Sequence, residues 1–281
     1  MSALSQKMDN AMVLRGLADK TREAYLGSVR GLAKYYHRPP DQLTDKDVQA
    51  YLLYLIQERK LAPSSCNVAV NGLRFFFLKT MSHSATEFDI PTARRPRKLP
   101  ELLSREEITR LFAVTSNPKA RAVLALAYGA GLRVSEIAHL QSRHIDSEQM
   151  TIRVEQGKGN KDRYTLLSQG LLLELRRYWH GCHPRGDYLF PHRDGQHSMD
   201  PTTAQKLYYK AKAQAGITKK VGIHGLRHAF ATHLLEAGTD IHTIQRLLGH
   251  QSITTTMIYF HLARSHLTQN TSPLDLLDLP R

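Results

Sequence analysis

A segment rich in proline and basic residues, 83–100, divides this 281-residue chain and is the feature that most restricts its fold. The segment has three prolines, and within five residues it holds four positive charges: Arg94, Arg95, Arg97 and Lys98. Because proline interrupts helices and like charges repel one another, we predict an extended linker here. The linker separates two predicted domains, 1–82 and 101–270, and a short tail, 271–281, follows the second domain.

The part before the linker has the apolar spacing of α-helices. Within 21–36 the apolar face repeats every three or four positions, at Tyr25, Val29, Leu32 and Tyr36. Thr44, with Asp47 three positions later, matches a weak capping box for a second helix. Ser64 or Ser65 is expected to cap a third helix. The expected apolar face of that helix consists of Val68, Leu73, Phe76 and Phe77.

The part after the linker mixes helical patterns with a short pair of strands. Ser104 and Glu107 match a capping box, and Arg133 follows the glycine-rich end of the next predicted helix. Residues 150–155 alternate apolar and polar side chains as a half-buried strand does, and 163–167 is the predicted partner strand. We therefore predict a mainly α fold, with an N-terminal helical bundle and a C-terminal α/β domain that contains a small antiparallel sheet.

The connection between the two predicted strands, Gly157-Lys-Gly-Asn-Lys161, is rich in glycine and lysine. A phosphate-binding P-loop has a similar composition, but its glycines have a different spacing and lead into a helix. We therefore predict a hairpin turn that presents Lys158 and Lys161 at its tip.

The charge of the chain predicts a polyanionic partner. Thirty-nine Lys and Arg residues against 25 Asp and Glu leave a formal net charge of +14. Nucleic acid is the leading candidate, and an acidic membrane surface is the second. No apolar run approaches the ~18 residues of a spanning helix, and the first residues lack the plan of a signal peptide. The protein is therefore expected to be cytoplasmic, with no membrane partner.

A group of histidine, arginine and tyrosine residues near the end of the chain needs a chemical explanation. His224 and Arg227 are three residues apart, which places both at the edge of one predicted helix rather than on its apolar face. A guanidinium beside an imidazole suits a tetrahedral anion, and Arg133 and Lys158 add further positive charge. Tyr259 supplies a hydroxyl for covalent attack. The set therefore predicts phosphoryl transfer.

A metal site is not predicted. His224 and His228 have the i, i+4 spacing of a zinc-binding helix, but Gly225 stands where the metalloprotease motif has glutamate. No pair of acidic residues accompanies the cations, as a two-metal nuclease would need. Cys66 and Cys182 are far apart in the sequence and are interpreted as buried or idle thiols. The chain is therefore expected to act without a metal or any other cofactor.

Five short motifs occur in order along the second predicted domain. They are Ala-Gly-Leu-Arg-Val-Ser-Glu around Arg133, Gly-Lys-Gly-Asn-Lys around Lys158, His-Gly-Leu-Arg-His from His224, Leu-Leu-Gly-His ending at His250 and Thr-Thr-Met-Ile-Tyr ending at Tyr259. In this order they resemble the tyrosine recombinase family, also called the phage-type integrases. The match is strong over 102–261, and 14–77 more loosely resembles the core-binding domain of that family.

The resemblance implies how the reaction would proceed. Tyr259 would attack a DNA phosphodiester, forming a 3′-phosphotyrosyl bond and a free 5′-hydroxyl. Arg133 and Arg227 would hold the non-bridging oxygens of the phosphate. Glu136, three residues after Arg133, would orient that arginine. Because the phosphotyrosine conserves the bond energy, another 5′-hydroxyl would reseal the strand without ATP or metal.

The resemblance also implies roles for the remaining cations. Lys158 would protonate the departing 5′ oxygen, His224 would assist proton transfer at the tyrosine, and His250 would hydrogen-bond the scissile phosphate. Lys161 and Arg163 are interpreted as DNA-backbone contacts or as solvated charges. The four basic residues of the linker are likewise either solvated or laid along a phosphate backbone.

The implied partner is double-stranded DNA with specific recombination sites, bound by a homotetramer that assembles from monomers. The tail 271–281 would pack either on a neighbouring protomer or back on its own chain. The motifs resemble chromosome-dimer resolvases and, around Tyr259 and Ser272, integron integrases. The sequence lacks the extra segment that integron integrases carry before the His-x-x-Arg motif, so we predict the integrase of a transposon or other mobile element. The alternatives are a catalytically silent DNA-binding regulator of the same fold and a chromosome-dimer resolvase.

Overall fold

The computed structural model describes residues 2–83, 101–155 and 162–262, with the backbone alone of residue 261. The chain divides into two compact units, Met1–Lys98 and Leu99–Arg281. Several predictions fall outside the described residues, namely those for the tail 271–281, for Arg94, Arg95, Arg97 and Lys98 of the linker, and for Lys158 and Lys161. Within the described ranges, no helix is long and apolar enough to cross a membrane.

The described part of the N-terminal unit is helical, as predicted. Its helices are α1 (Ala3–Val13), α2 (Asp19–Tyr36), α3 (Asp45–Gln57) and α4 (Pro63–Arg74), and a π-helical turn, Phe75–Thr80, continues the last. The most deeply buried side chains of its core include Leu32, Leu73 and Phe77. These apolar side chains, from α2, α4 and the π-helical turn, hold the bundle together because each leaves water completely on folding.

The start of α3 follows the predicted capping box. The Thr44 backbone N–H donates to the Asp47 carboxylate at 2.8 Å, and the Asp47 N–H donates to the Thr44 hydroxyl at 3.3 Å. The same reciprocal pair begins α5 at Ser104 and Glu107 in the C-terminal unit. Both boxes satisfy backbone donors that the first helical turn leaves free.

The start of α4 differs from the prediction. Neither Ser64 nor Ser65 caps this helix, because the helix begins at Pro63 and both serines lie within its first turn. Proline has no backbone N–H to satisfy at that position, and its fixed φ angle suits a helix start. Val68 is also 40% exposed rather than part of the apolar face. The buried face of α4 follows the helical spacing of Cys66, Ala69, Val70 and Leu73.

The C-terminal unit combines helices with a small sheet. Its helices are α5 (Arg105–Ala113), α6 (Pro118–Gly129), α7 (Val134–Ala138), α8 (Gln169–Cys182), α9 (Pro201–Gln214), α10 (His224–Glu236), α11 (Ile241–Leu248) and α12 (Ile253–Leu262). The strands are β1 (Ile145–Asp146), β2 (Thr151–Val154) and β3 (Arg163–Leu166). The mainly α fold with a small antiparallel sheet is thus confirmed.

The described sheet has the antiparallel order β1-β2-β3. β2 and β3 pair as predicted, with Ile152 opposite Thr165 and Val154 opposite Arg163. β1 was not predicted, since a strand of two residues is too short to show an alternating pattern. The pairing places Arg163 at the base of the hairpin, beside the last residue of β2.

Helix α10 lies inside the C-terminal unit, where it packs against α6, α11 and α12. The backbone turns from α6 toward α7 at Gly131, which has a φ of +62°. A Cβ atom at this position would lie only 2.4 Å from the Phe230 ring of α10. Only glycine satisfies both the left-handed backbone and the close approach. The turn therefore brings the segment that precedes Arg133 against α10.

The buried phenyl group of Phe77 provides a test of the N-terminal core. We expect Phe77→Ala to destabilise this unit by about 3 kcal/mol, because a fully buried ring leaves a cavity. Hydrogen exchange measured by mass spectrometry should then show about a hundredfold loss of protection in peptides from α2 and α4.

Val68→Ala is the matched control, because this side chain lies on the same bundle but is 40% exposed. It should change the protection of the same peptides less than about threefold. Equal protection of the Phe77→Ala and wild-type peptides would contradict the assigned core.

Candidate active site

Arg133 is positioned by the start of α7. It is the N-cap residue of this short helix, and its backbone N–H donates to the Glu136 carboxylate at 2.8 Å. The Arg133 guanidinium donates to the same carboxylate at 2.7 Å. One acidic side chain therefore caps the helix and orients the arginine, whose side chain keeps 21% exposure.

Glu136 also contacts two arginines from distant parts of the chain. Arg163 donates to both of its carboxylate oxygens, at 2.9 and 2.8 Å, and Arg227 lies 3.8 Å from it. Burial by itself opposes ionisation of Glu136, but the hydrogen bonds and charges of Arg163 and Arg133 outweigh it and lower its pKa to about 2. Glu136 is thus ionised at neutral pH and holds three cations together.

Arg163 corrects the prediction of a DNA-backbone contact or a solvated charge. Its side chain is only 9% exposed, and its guanidinium is engaged by Glu136 and by the backbone carbonyl of Leu247, at 3.0 Å from Nε. The reason is its place at the base of the hairpin, which faces α11. Arg163 therefore ties the lysine hairpin to the arginine cluster and to the end of α11.

Arg227 is buried, with 1% exposure, and not at a helix edge as the spacing predicted. The apolar stripe of α10 predicted a helix with one buried face and an exposed edge at Arg227. The helix is instead covered by neighbouring elements on nearly all sides. The Arg227 guanidinium donates to the carbonyls of Gly131 and Leu248, both at 2.5 Å. Its Nε has no acceptor among the described residues. Burial and the charge of Arg133 lower the Arg227 pKa to about 10.

His250 lies directly beside Arg227. Its Nε2 is 3.2 Å from Arg227 Nη2, and its Nδ1 is 3.0 Å from the Thr256 hydroxyl of α12. Gly249, with a φ of +64°, ends α11 and turns the chain so that His250 faces inward. Burial and then the charges of Arg227 and Arg133 lower the His250 pKa to about 4. The imidazole is therefore neutral at neutral pH.

Tyr259 on α12 completes the group and is 1% exposed. Its ring stacks on His250, with centroids 6.2 Å apart and an interplanar angle of 15°. Its hydroxyl lies 3.1 Å from Nδ1 of His228. Burial raises the Tyr259 pKa, while the nearby charges of Arg227 and Arg133 act in the opposite direction.

His224, at the start of α10, is the outermost member of the group. Its side chain reaches solvent, and its ring meets the edge of the His228 ring with centroids 4.6 Å apart. Burial of the part facing the protein and the charges of Arg227 and Arg133 lower its pKa. The structure thus gathers five of the six predicted residues in one place, namely Arg133, His224, Arg227, His250 and Tyr259. Lys158 lies outside the described residues.

Three contacts of the group are absent from the sequence prediction. They involve His228 at the tyrosine hydroxyl, Thr256 at His250 and Arg163 at Glu136. The i, i+4 spacing of His224 and His228 was a usable signal, since it places both rings on one side of α10. Thr256 and Arg163 gave no comparable local signal.

The arrangement is suited to an anion. Arg133 is partly exposed, Arg227 has a donor without an acceptor in the described part of the chain, and two neutral imidazoles flank a tyrosine hydroxyl. A tetrahedral phosphate would match these donors and offset their positive charge. The described residues include no group of three or more metal-ligating side chains that could hold a metal ion.

The charge of Glu136 provides a test of this cluster. We expect Glu136→Gln to destabilise the C-terminal unit by about 3 kcal/mol at pH 7, because it leaves three buried or half-buried guanidinium groups without their counter-charge. Urea denaturation followed by the fluorescence of Trp179, the single tryptophan, measures this loss.

The difference in the free energy of unfolding between the wild type and Glu136→Gln should depend on pH. The folded-state pKa of Glu136 lies below its ordinary value of 4.5, so its stabilising effect is full above about pH 4.5 and is lost as the pH falls toward 2. The wild type should therefore approach the variant in stability over that range. The control, Glu148→Gln on the exposed turn before β2, should change stability by less than about 0.5 kcal/mol. A pH-independent difference would contradict the ionised cluster.

Comparison with known sequences identifies related proteins for both units. The family model of the phage integrase family matches residues 101–266, and that of the phage integrase N-terminal SAM-like domain matches 4–87. A putative integrase/recombinase, y4qK, of Sinorhizobium fredii is 40% identical over all of this chain and 91% of its own length. The tyrosine recombinase XerD of Shewanella oneidensis is 32% identical over 93% of this chain and 92% of its own.

Solved structures show the same fold. A XerA recombinase superposes with a TM-score of 0.55 at 29% identity, over 99% of this chain and 98% of its own. A lambda integrase tetramer bound to a Holliday junction gives a TM-score of 0.74 at 19% identity, over 92% and 76%. With the matched family models and relatives, these findings show that the chain belongs to the phage integrase family and is a tyrosine recombinase, an enzyme that breaks and rejoins DNA.

Proposed function

We propose that this protein is a site-specific recombinase that cuts and rejoins duplex DNA through a 3′-phosphotyrosyl intermediate, with Tyr259 as the nucleophile. One observation carries the proposal. The Tyr259 ring stacks on His250, which in turn contacts Arg227, so the hydroxyl belongs to a cluster of cationic and imidazole groups. Such a cluster suits a phosphodiester whose charge must be neutralised before a phenol can attack it.

In the proposed cleavage step, the Tyr259 oxygen attacks the phosphorus and the 5′ oxygen of the next nucleotide leaves. Arg133 and Arg227 bind the non-bridging oxygens and stabilise the charge of the transition state. Two observations support this assignment, since Arg133 is partly exposed and Arg227 Nε has no acceptor within the described ranges. Both arginines therefore retain capacity for a further acceptor. Glu136 acts by fixing the direction of Arg133.

The leaving oxygen needs a proton, which we assign to Lys158. This lysine belongs to the connection between β2 and β3, whose base is held in the site by the contact of Arg163 with Glu136. β3, the strand that follows this connection, is thereby anchored beside the arginines. His250 is the proposed hydrogen-bond donor to the scissile phosphate: the phosphate replaces its Nε2 as the acceptor for Arg227, and Nε2 then carries the hydrogen. His224, at the outer side of the group, assists proton transfer.

The covalent phosphotyrosine explains how strands are rejoined without an energy source. Each step exchanges one phosphate ester for another, so the free energy of the broken bond is kept. A 5′-hydroxyl from a second duplex attacks the phosphotyrosine and releases Tyr259. The proposed reaction therefore needs neither ATP nor a metal ion.

We propose that specific duplex sites and a homotetramer complete the active assembly, while the free chain is monomeric. The net charge of +14 supports DNA as the partner, because each neutralised phosphate releases counterions. The linker residues Arg94, Arg95, Arg97 and Lys98 and the hairpin residue Lys161 are the proposed backbone contacts. A lambda integrase tetramer was solved on a Holliday junction, which supports the same assembly here.

The biological role we favour is that of an integrase of a mobile element. The full-length relative from Sinorhizobium fredii is named a putative integrase/recombinase, in agreement with this role. A chromosome-dimer resolvase, the other group that the motifs resemble, is the second candidate. Sequencing the DNA around the gene separates them, because a mobile element leaves a pair of element ends and a resolvase uses one chromosomal site.

The proposal predicts a covalent adduct that depends on Tyr259. Fragments of the flanking DNA are incubated with the protein in EDTA without ATP, and denaturant-resistant adducts are recovered and sequenced. A nicked substrate built from the recovered site should then accumulate adduct with the wild type and none with Tyr259→Phe. The adduct should have a blocked 3′ end and a 5′-hydroxyl that polynucleotide kinase can label.

Tyr209→Phe is the matched control, since this exposed tyrosine of α9 lies outside the group. It should form adduct at the wild-type rate. Binding of Tyr259→Phe to the same DNA, measured by gel shift, shows that the loss is chemical. A wild-type protein that shifts fragments of the flanking DNA in the gel but forms an adduct with none of them would favour the catalytically silent DNA-binding regulator.

A further inference from the structure

We propose that His228 is a catalytic residue of this reaction, and that its Nδ1 accepts the proton of Tyr259 as the tyrosine oxygen attacks the phosphate. This inference rests on the proposed function and adds a residue to it. The roles implied by the resemblance of the motifs do not include this histidine.

The first argument is the contact itself. His228 Nδ1 lies 3.1 Å from the Tyr259 hydroxyl, which is hydrogen-bond distance to the reacting oxygen. Tyr259 is 1% exposed, so bulk water has little access to take its proton. A base on the protein is therefore needed, and His228 is in contact with the oxygen.

The second argument is the order of the rings. His224, to which the family resemblance gives the proton transfer, meets the edge of His228 at a centroid distance of 4.6 Å. The hydrogen bond of the tyrosine oxygen is with His228. His224 reaches solvent, whereas His228 is half-buried between it and Tyr259. His224 thus acts on the tyrosine through His228 and forms the outer end of the same path.

The third argument is that packing fixes the positions of His228 and Tyr259. His228 lies one helical turn after His224 on α10, and Tyr259 lies on α12, which packs against α10. The Tyr259 ring is held on its other side by His250, whose Nδ1 is bound to Thr256. The contact is therefore fixed by two packed helices, which pre-organises the proton transfer.

The charge state of His228 is compatible with this role. Burial, and then the neighbouring His224 and Arg227, lower its pKa to about 4. The imidazole is neutral at neutral pH, so one ring nitrogen can accept a proton. The groups that face it are His224, Arg227 and Tyr259. A bound phosphodiester adds a negative charge beside Arg227, which favours the imidazolium that the transfer creates.

The step balances without any further reactant. As the bond between the Tyr259 oxygen and phosphorus forms, the hydroxyl proton moves to Nδ1 of His228. The bond between phosphorus and the 5′ oxygen breaks, and that oxygen takes its proton from Lys158. In the rejoining step the incoming 5′-hydroxyl returns a proton to Lys158, and His228 returns its proton to Tyr259. Both groups therefore end each cycle as they began.

His228→Asn tests the proposal. An asparagine amide reaches about the position of Nδ1 and keeps a hydrogen bond to the tyrosine, but it is not a base. We expect about a hundredfold slower adduct formation on the nicked substrate, with unchanged affinity for the DNA site. His242→Asn, on the exposed side of α11, is the control and should react at the wild-type rate.

A fluorinated nucleophile separates catalysis from packing. With 3,5-difluorotyrosine at position 259, whose phenol ionises near neutral pH, a base is less needed. The difference in rate between the protein with His228 and the His228→Asn variant should then shrink to less than about tenfold. A merely structural role of His228 would leave the full difference in place, and this result would overturn the proposal.

The tautomer of His228 in the wild type is a test that needs no variant. Accepting the tyrosine proton requires the hydrogen on Nε2, which ¹⁵N NMR of the full-length protein detects. A hydrogen on Nδ1 would overturn the proposal. So would wild-type adduct rates in His228→Asn. A wild type that binds fragments of the flanking DNA without forming an adduct with any of them would instead refute the proposed function as a whole.

Discussion

The interaction on which the rest of the C-terminal unit depends is the carboxylate of Glu136 among three arginines. Guanidinium groups repel one another and lose hydration when buried, so Arg133, Arg163 and Arg227 require a shared counter-charge. Glu136 provides it from the first turn of α7. The three arginines come from a helix start, a strand and the first turn of α10, and their common partner therefore sets how these elements pack.

The arginines of this cluster have two different roles. Arg163 uses its guanidinium to bind Glu136 and the end of α11, and its role is architectural. Arg133 shares the same carboxylate but remains partly exposed, and Arg227 keeps one donor without an acceptor among the residues that the structure describes. A site for a phosphate uses both kinds of arginine, because Arg163 fixes the Glu136 carboxylate and this carboxylate offsets the charge of Arg133 and Arg227.

Local signals in the sequence predicted those features that nearby residues decide. The capping boxes at Thr44 and Ser104 and the pairing of β2 with β3 depend on a few adjacent side chains, and each was predicted correctly. The buried position of Arg227 was not, because a helical pattern cannot show how many neighbours cover the helix. The start of α4 was also predicted incorrectly, because Ser64 and Ser65 were expected as caps while the helix begins at Pro63.

In the site, too, local motifs were predictable and contacts between distant residues were not. Its residues were found from motifs that keep their order, but the pairing of Arg163 with Glu136 spans 27 residues and that of His228 with Tyr259 spans 31. Such partners become visible only when the fold brings them together.

Gly131 shows that a residue without a side chain can determine the geometry of such a site. Its carbonyl receives a hydrogen bond from Arg227, and its missing side chain leaves room for Phe230. Any residue could supply that carbonyl, but only glycine can supply it from a left-handed backbone pressed against the Phe230 ring. The position of the Arg227 guanidinium, and with it part of the phosphate site, therefore depends on the one residue type that has no side chain.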